Sequence, residues 1–217
     1  MHTKSLHTPI PPAESEYSFW VYNMFMKREF LIGIDEVGRG PIAGPVAVCA
    51  VVLKRVPKGF LKGIRNSKAL SEKTREAWYK KAVGARKTGA LDFAVSFSSA
   101  RFIDRYGISK ALRVSIARAL HRLKIPPARA HIFLDGSIYA PKLYVHQKTV
   151  IKGDERVTVI ALASIIAKVH RDRRMKRYAK KFRGYGFEEH VGYGTAAHYK
   201  AIRARGLCKL HRRSFIH

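Results

Sequence analysis

Short apolar runs punctuated by Gly- and Pro-rich turns fill the first half of the chain, and longer stretches with helical periodicity fill the second. Phe30-Leu31-Ile32-Gly33-Ile34 and Val46 to Leu53 read as strands. Between them Asp35-Glu36-Val37-Gly38-Arg39-Gly40-Pro41 reads as a tight turn, so the pair is a hairpin. Ser71 is the expected N-cap of a helix to about Ala85, and Leu91 to Phe97 alternates as a third strand. Ser109 opens a helix that carries Leu112, Ile116, Ala119, Leu120 and Leu123 on one face and is stopped by Pro126-Pro127. His131 to Leu134 is a buried-type strand ending in Asp135-Gly136, and Leu143 to Ile151 is a further strand ending in Lys152-Gly153-Asp154. A long helix follows from about Val157 to Lys181, apolar and small at first, basic later. Gly184 to Thr195 reads as a loop, and Thr195 to Arg205 as a last helix stopped by Gly206. Strands first, then strands alternating with helices, predict a mixed-sheet α/β domain. That domain spans 30–217; residues 1–29, with Pro, Ser, His and a short aromatic patch, read as a loosely packed extension.

Composition changes the picture through charge. The chain has 217 residues, 47% hydrophobic and 27% charged, as soluble globular domains do. Yet Lys+Arg number 43 against 15 Asp+Glu, a formal net charge of +28. Such a field concentrates polyanions and speeds their encounter, which makes nucleic acid the expected partner without naming a reaction. A membrane surface fits less well, because the basic residues are not gathered on one amphipathic segment. Cys49 and Cys208 are the only cysteines, too few and too far apart for a disulfide framework or a zinc cluster. The N-terminus lacks a basic-then-apolar pattern, so a cytoplasmic protein is expected.

Acids are scarce, and their placement is informative. Asp35-Glu36, Asp135 and Asp154 each follow the end of an expected strand. A single Asp beside a Gly after a strand reads more readily as a turn residue than as a ligand, and Asp35-Glu36 alone reads no better than equally as either. If the strands are neighbours, however, their ends gather four carboxylates at one edge, where mutual repulsion raises their pKa values. A divalent cation relieves that, and hard oxygen ligands without Cys or clustered His suit Mg²⁺ or Mn²⁺. Next to a polyanion, this pattern points to a metal-dependent nuclease.

The wording of these segments carries a resemblance. Gly33-Ile34-Asp35-Glu36-Val37-Gly38-Arg39-Gly40-Pro41-Ile42-Ala43-Gly44-Pro45-Val46 resembles the opening signature of the ribonuclease HII family. In that family's order follow Ser67-Lys68-Ala69-Leu70-Ser71, Leu134-Asp135-Gly136, Val150-Ile151-Lys152-Gly153-Asp154, and Ala163 to Val169 with Arg171-Asp172-Arg173. His190, Tyr193-Gly194-Thr195, His198 and His211 to Phe215 resemble its C-terminal signatures. The resemblance covers about residues 30–215. It implies a ribonuclease H-like fold, a five-stranded mixed sheet flanked by helices with a helical C-terminal part. It implies Asp35, Glu36, Asp135 and Asp154 as catalytic residues and ligands of a two-metal site for Mg²⁺ or Mn²⁺, with Asp35 bridging the ions. The implied reaction cuts RNA–DNA hybrid duplex, or DNA containing single ribonucleotides, leaving a 3′-hydroxyl and a 5′-phosphate; a monomer without membrane association is expected.

Substrate-binding residues follow from the same resemblance. Gly38, Arg39 and Gly40 look like the sensor of the 2′-hydroxyl, a task for which backbone must come close. Tyr193 resembles the aromatic that stacks on the next sugar, and Lys68 is a candidate phosphate contact. Arg39 also separates the chain from ribonuclease HIII, where Thr is typical. Asn66 departs from the family, which usually has Asp before Ser67-Lys68, and puts an ion pair there in doubt. Asp172, among arginines, reads as an ion-pair partner and not as a fifth ligand. His190, His198 and His211 read as phosphate contacts or helix caps, and nothing in the sequence ranks them as catalytic. The competing class is a nucleic-acid-binding protein with a degenerate nuclease site.

Overall fold

The computed structural model describes residues 29–64, 67–136 and 138–216. Apart from Glu29, the expected extension lies outside the described residues, as does Asn66. Five strands form one sheet in the order β3-β2-β1-β4-β5: β1 (Phe30–Val37), β2 (Val46–Leu53), β3 (Leu91–Ser98), β4 (Ala130–Asp135) and β5 (Gln147–Val150). The β1-β2 and β2-β3 pairs are antiparallel, and β1-β4 and β4-β5 are parallel. This is the mixed sheet expected. The helices are α1 (Glu72–Lys87), α2 (Ala100–Tyr106), α3 (Ile108–Leu123), α4 (Gly153–Arg156), α5 (Thr158–Lys181), α6 (Phe187–His190) and α7 (Ala196–Arg205).

Alternation along the strands sorts side chains to two faces. Ile32, Ile34, Val46, Val48, Ala50 and Val52 meet Leu112, Ile116, Ala119 and Leu120 of α3 on one face. Leu31, Cys49, Val51 and Leu53 meet Val159, Leu162, Ala163, Ile166 and Ala167 of α5 on the other. Both faces of β2 are covered, which is why all eight of its residues are buried and its sequence shows no polar alternation. Each large aliphatic side chain buried here stabilises the fold by about 1.5–3 kcal/mol. A third cluster, Ala43, Met175, Tyr185 and Phe187, joins the end of α5 to the C-terminal segment. There Ala43 bridges to His211, and the Arg212 N–H donates to the Ile42 carbonyl at 2.7 Å.

Several expectations change. The last strand begins at Gln147, not Leu143, because the Gln147 side chain holds the preceding segment as a loop. Its Oε1 accepts from the Ala140 N–H at 2.8 Å and its Nε2 donates to the Tyr144 carbonyl at 2.9 Å. Ser109 does not open a helix. Ser99 caps α2, accepting from the Phe102 N–H, and Gly107 separates α2 from α3. The expected loop at 184–195 contains the short α6. The Ser71 cap stands as read, accepting from the Thr74 N–H, and Thr195, read as the first helical residue, is the cap of α7 and accepts from the His198 N–H. Among the described residues no helix is long and apolar enough to cross a membrane.

Candidate active site

The parallel β1-β4 ladder stops one residue short of Asp35 and Asp135, and β1 itself runs on to Val37 against β2, so Asp35 and Glu36 lie within the strand and not in the turn after it as the sequence suggested. Ile34 and Leu134 are partners across the β1-β4 ladder, so Asp35 and Asp135 stand at matching positions, and Asp135 pairs with Val150 of β5. Both side chains lie on the α5 face, two residues along from Gly33 and Phe133. Asp35 is buried, 4% exposed, and its Oδ1 accepts the Glu36 N–H at 2.7 Å. From α5 the Ser164 hydroxyl hydrogen-bonds to Asp35 and lies 2.7 Å from the buried Ser67 hydroxyl. Asp154 does not sit at a strand end as the sequence suggested. It is in the first turn of α4, which the Asp135 carboxylate anchors by accepting the Gly153 N–H at 2.6 Å.

The carboxylates sense one another. Burial, then Glu36 and Asp135, pushes Asp35 well above the usual carboxylate range, against the Ser164 hydrogen bond. Burial and then Asp135 raise Glu36 to about 6, opposed by Arg39 and Lys68. Burial and then Asp135 also raise Asp154, with Lys68 opposing. Asp135 is therefore common to all three interactions. Arg39 stands 3.8 Å from Glu36. Lys68, exposed beside Ser67, acts on both Glu36 and Asp154, which puts it at the mouth of the cluster.

Among the described residues no three His, Cys, Asp or Glu side chains stand close enough together to enclose an ion as they are arranged here. Two of the carboxylate oxygens are turned to the Glu36 and Gly153 N–H groups. The donor set nonetheless fits a hard cation. It is all oxygen, it is desolvated, and its negative charge exceeds what Arg39 and Lys68 supply.

The Gly38-Arg39-Gly40 turn follows β1 directly. Gly38 has φ of 89°, and a Cβ there would run into the Arg171 side chain, so only glycine fits. Beneath the turn are two fully buried arginines that the sequence did not distinguish from surface basic residues. Arg171 Nε donates to the Pro45 carbonyl at 3.0 Å. Arg212 donates from Nε to Gly44 at 2.9 Å, from Nη1 to Arg39 at 2.9 Å and from Nη2 to Gly38 at 2.7 Å, each to the carbonyl oxygen. Burial, and then Arg171, pushes Arg212 down to about 9, so it is still protonated at neutral pH.

Tyr193 is 46% exposed. A histidine chain fixes its backbone. The Cys208 N–H donates to His211 Nδ1 at 2.9 Å, which leaves His211 Nε2–H to meet His198 Nε2 at 3.1 Å, and His198 Nδ1–H to donate to the Tyr193 carbonyl at 2.8 Å. Burial lowers His198 to about 4 and also lowers His211, in keeping with neutral rings. His190 Nε2 stands 2.7 Å from the Tyr185 carbonyl, so the three histidines are internal supports and not phosphate contacts. Asp172 pairs with Lys168 at 2.9 Å, an ion pair as expected, though with lysine as its partner.

Known proteins share much of this sequence and this fold. The sequence profile of the family described as Ribonuclease HII matches residues 32–217. The chain is 43% identical over 195 residues to the ribonuclease HII of Chlorobium chlorochromatii, covering 88% of this chain and 92% of that protein. It is 41% identical over 191 residues to that of Chloroherpeton thalassium, covering 87% and 91%. Among solved structures, ribonuclease HII from Archaeoglobus fulgidus, determined in complex with PCNA, superposes with a TM-score of 0.69 at 25% identity, over 87% of this chain and 96% of that one. Bst-RNase HIII in complex with Mn²⁺ has the same fold, with a TM-score of 0.64 at 21% identity, over 99% and 73%.

Proposed function

The chain belongs to the ribonuclease HII family, and from that premise we propose that it hydrolyses the RNA strand of RNA–DNA hybrids and nicks duplex DNA 5′ to single embedded ribonucleotides, leaving 3′-hydroxyl and 5′-phosphate ends. The observation that carries this reading is the convergence of Asp35, Glu36 and Asp154 on Asp135 at the carboxyl ends of parallel strands.

Asp35, Glu36, Asp135 and Asp154 would hold Mg²⁺ or Mn²⁺ in a two-ion arrangement. Bound there, the ions would supply an activated water and a counter-charge for the leaving oxygen. The chain's own residues do the rest. Ser164 orients the Asp35 carboxylate, and the Gly153 N–H fixes that of Asp135. Lys68 contacts a phosphate of the cut strand. Gly38, Arg39 and Gly40 sense the 2′-hydroxyl, and Tyr193 packs on the neighbouring sugar. The charge of +28 draws the duplex in and makes binding weaken steeply with salt. The catalytic domain would span 30–217, acting as a cytoplasmic monomer.

One assay tests the proposal. A DNA duplex with one ribonucleotide is incubated with the protein and Mg²⁺ or Mn²⁺, and again with EDTA added. A nick 5′ to the ribonucleotide that vanishes with EDTA is expected; its absence with both metals would overturn the reading.

A further inference from the structure

We propose that Arg212 is a positioning residue for ribose selection, setting the direction of two backbone N–H donors in the Gly38-Arg39-Gly40 turn. This rests on the function proposed above and adds to it a residue 174 positions away in the sequence from Gly38.

The argument is geometric. In a trans peptide the C=O and the following N–H point in opposite directions, and the chain has no cis bond among the described residues. The carbonyls of Gly38 and Arg39 both point down into the buried Arg212 guanidinium. The N–H groups of Arg39 and Gly40, on the far side of those same peptide planes, therefore point up. Both residues are exposed, and among the described residues neither N–H has a backbone acceptor. Two successive outward N–H groups form a small concave donor pair suited to an oxygen-rich ligand. The pair stands beside the carboxylates, since the Arg39 side chain is 3.8 Å from Glu36.

Arginine is required for this task. Three donors in one rigid plane reach three carbonyls, those of Gly38, Arg39 and Gly44, at 2.7 to 2.9 Å. A lysine ammonium is a single point and cannot span them. Burying this charge without a carboxylate is costly unless its donors are used, and here all three nitrogens are. The Phe215 ring, 5.2 Å from the guanidinium, and the Arg212 N–H bond to Ile42 fix the side chain from behind.

Arg212→Lys tests the assignment. Affinity is measured in EDTA, so that no turnover intervenes, for a DNA duplex with one ribonucleotide and for the same duplex entirely of DNA. The wild type is expected to prefer the ribonucleotide duplex by about tenfold, the worth of one or two hydrogen bonds. Arg212→Lys is expected to bring the two affinities within about twofold while leaving the all-DNA affinity, which backbone phosphates dominate, near that of wild type. A folded variant that keeps the wild-type preference overturns the proposal, as does a wild type with none. If Arg212→Lys does not fold, labelled wild type decides. The Arg39 and Gly40 amide resonances and that of Arg212 Nε–H should shift together with the ribonucleotide duplex and not with all-DNA; resonances that do not respond overturn it. Loss of nicking by the wild type would instead overturn the function, so the two failures are distinct.

Discussion

The Gly153 backbone N–H donates to Asp135 Oδ1 at 2.6 Å, so the turn that carries Asp154 is fastened to the carboxylate at the end of β4. A methyl group at position 153 would lie 2.7 Å from Ile160 Cδ1 and 3.3 Å from that same oxygen. Ile160 is fully buried, so its Cδ1 can give way only by displacing the side chains packed around it. Gly153→Ala is therefore expected to cost about 1–3 kcal/mol in stability and, by displacing a group that orients a ligand, roughly 10–100-fold in metal-dependent cleavage. Chemical denaturation and initial rates measure the two. Wild-type values for both would mean that α4 can move without consequence.

Asp35 is the most deeply placed carboxylate, held by the Glu36 N–H and Ser164. Asp35→Asn keeps the shape and removes the charge. Cleavage should fall by more than about a hundredfold, beyond the loss from a group that only orients a ligand, while affinity for hybrid changes little. Unchanged turnover would remove Asp35 from the ligand set.

Glu36 carries a testable pH signature. Its carboxyl is raised from 4.5 to about 6 in the folded protein, mainly by burial. A carboxyl raised on folding binds its proton more tightly in the native state. Its contribution is thus fully present below pH 4.5 and is lost as pH rises through 6. For the metal-free protein this amounts to roughly 2 kcal/mol. Urea denaturation of wild type and Glu36→Gln in EDTA between pH 4 and 7 should show wild type losing stability relative to the variant. Parallel curves would contradict the shift.

Tyr193 is half-exposed, yet its carbonyl is held by His198. Removing the ring should leave the support intact. Tyr193→Ala is expected to slow cleavage of single-ribonucleotide duplexes more than of long hybrids, by about tenfold or more, as loss of one stacked aromatic implies. Equal losses on both substrates would return the ring to a packing role.

How much of this was legible in the sequence depends on which kind of contact is involved. Strands β1, β2, β3 and β4 and helix α5 were readable because apolar runs and helical periodicity are local. Asp35, Glu36 and Asp135 were readable because they follow such runs. Asp154 was read at the end of a strand and lies instead in α4, since a four-residue helix has too few turns to show a period. β5 was read too long because Val145 and Ile151 look like strand residues, although both are exposed and the Gln147 side chain holds the preceding loop.

The buried arginines were illegible for a different reason. Arg171 lies in a run of basic residues that reads as a solvated helix face, and Arg212 has basic neighbours on each side. What distinguishes them is a set of carbonyl partners more than a hundred residues away. Ser164 was likewise visible only as a small residue in an apolar stretch until Asp35 and Ser67 were seen beside it.

That anchoring has a consequence for synthesis. The glycine-bearing turn leaves the ribosome 174 residues ahead of the arginine that steadies it. If Arg212 directs that turn as proposed, the turn can take its working geometry only once the last few residues of the chain have been made. Proteolytic clipping behind Leu210 would strip the carbonyls of Gly38, Arg39 and Gly44 of their shared donor.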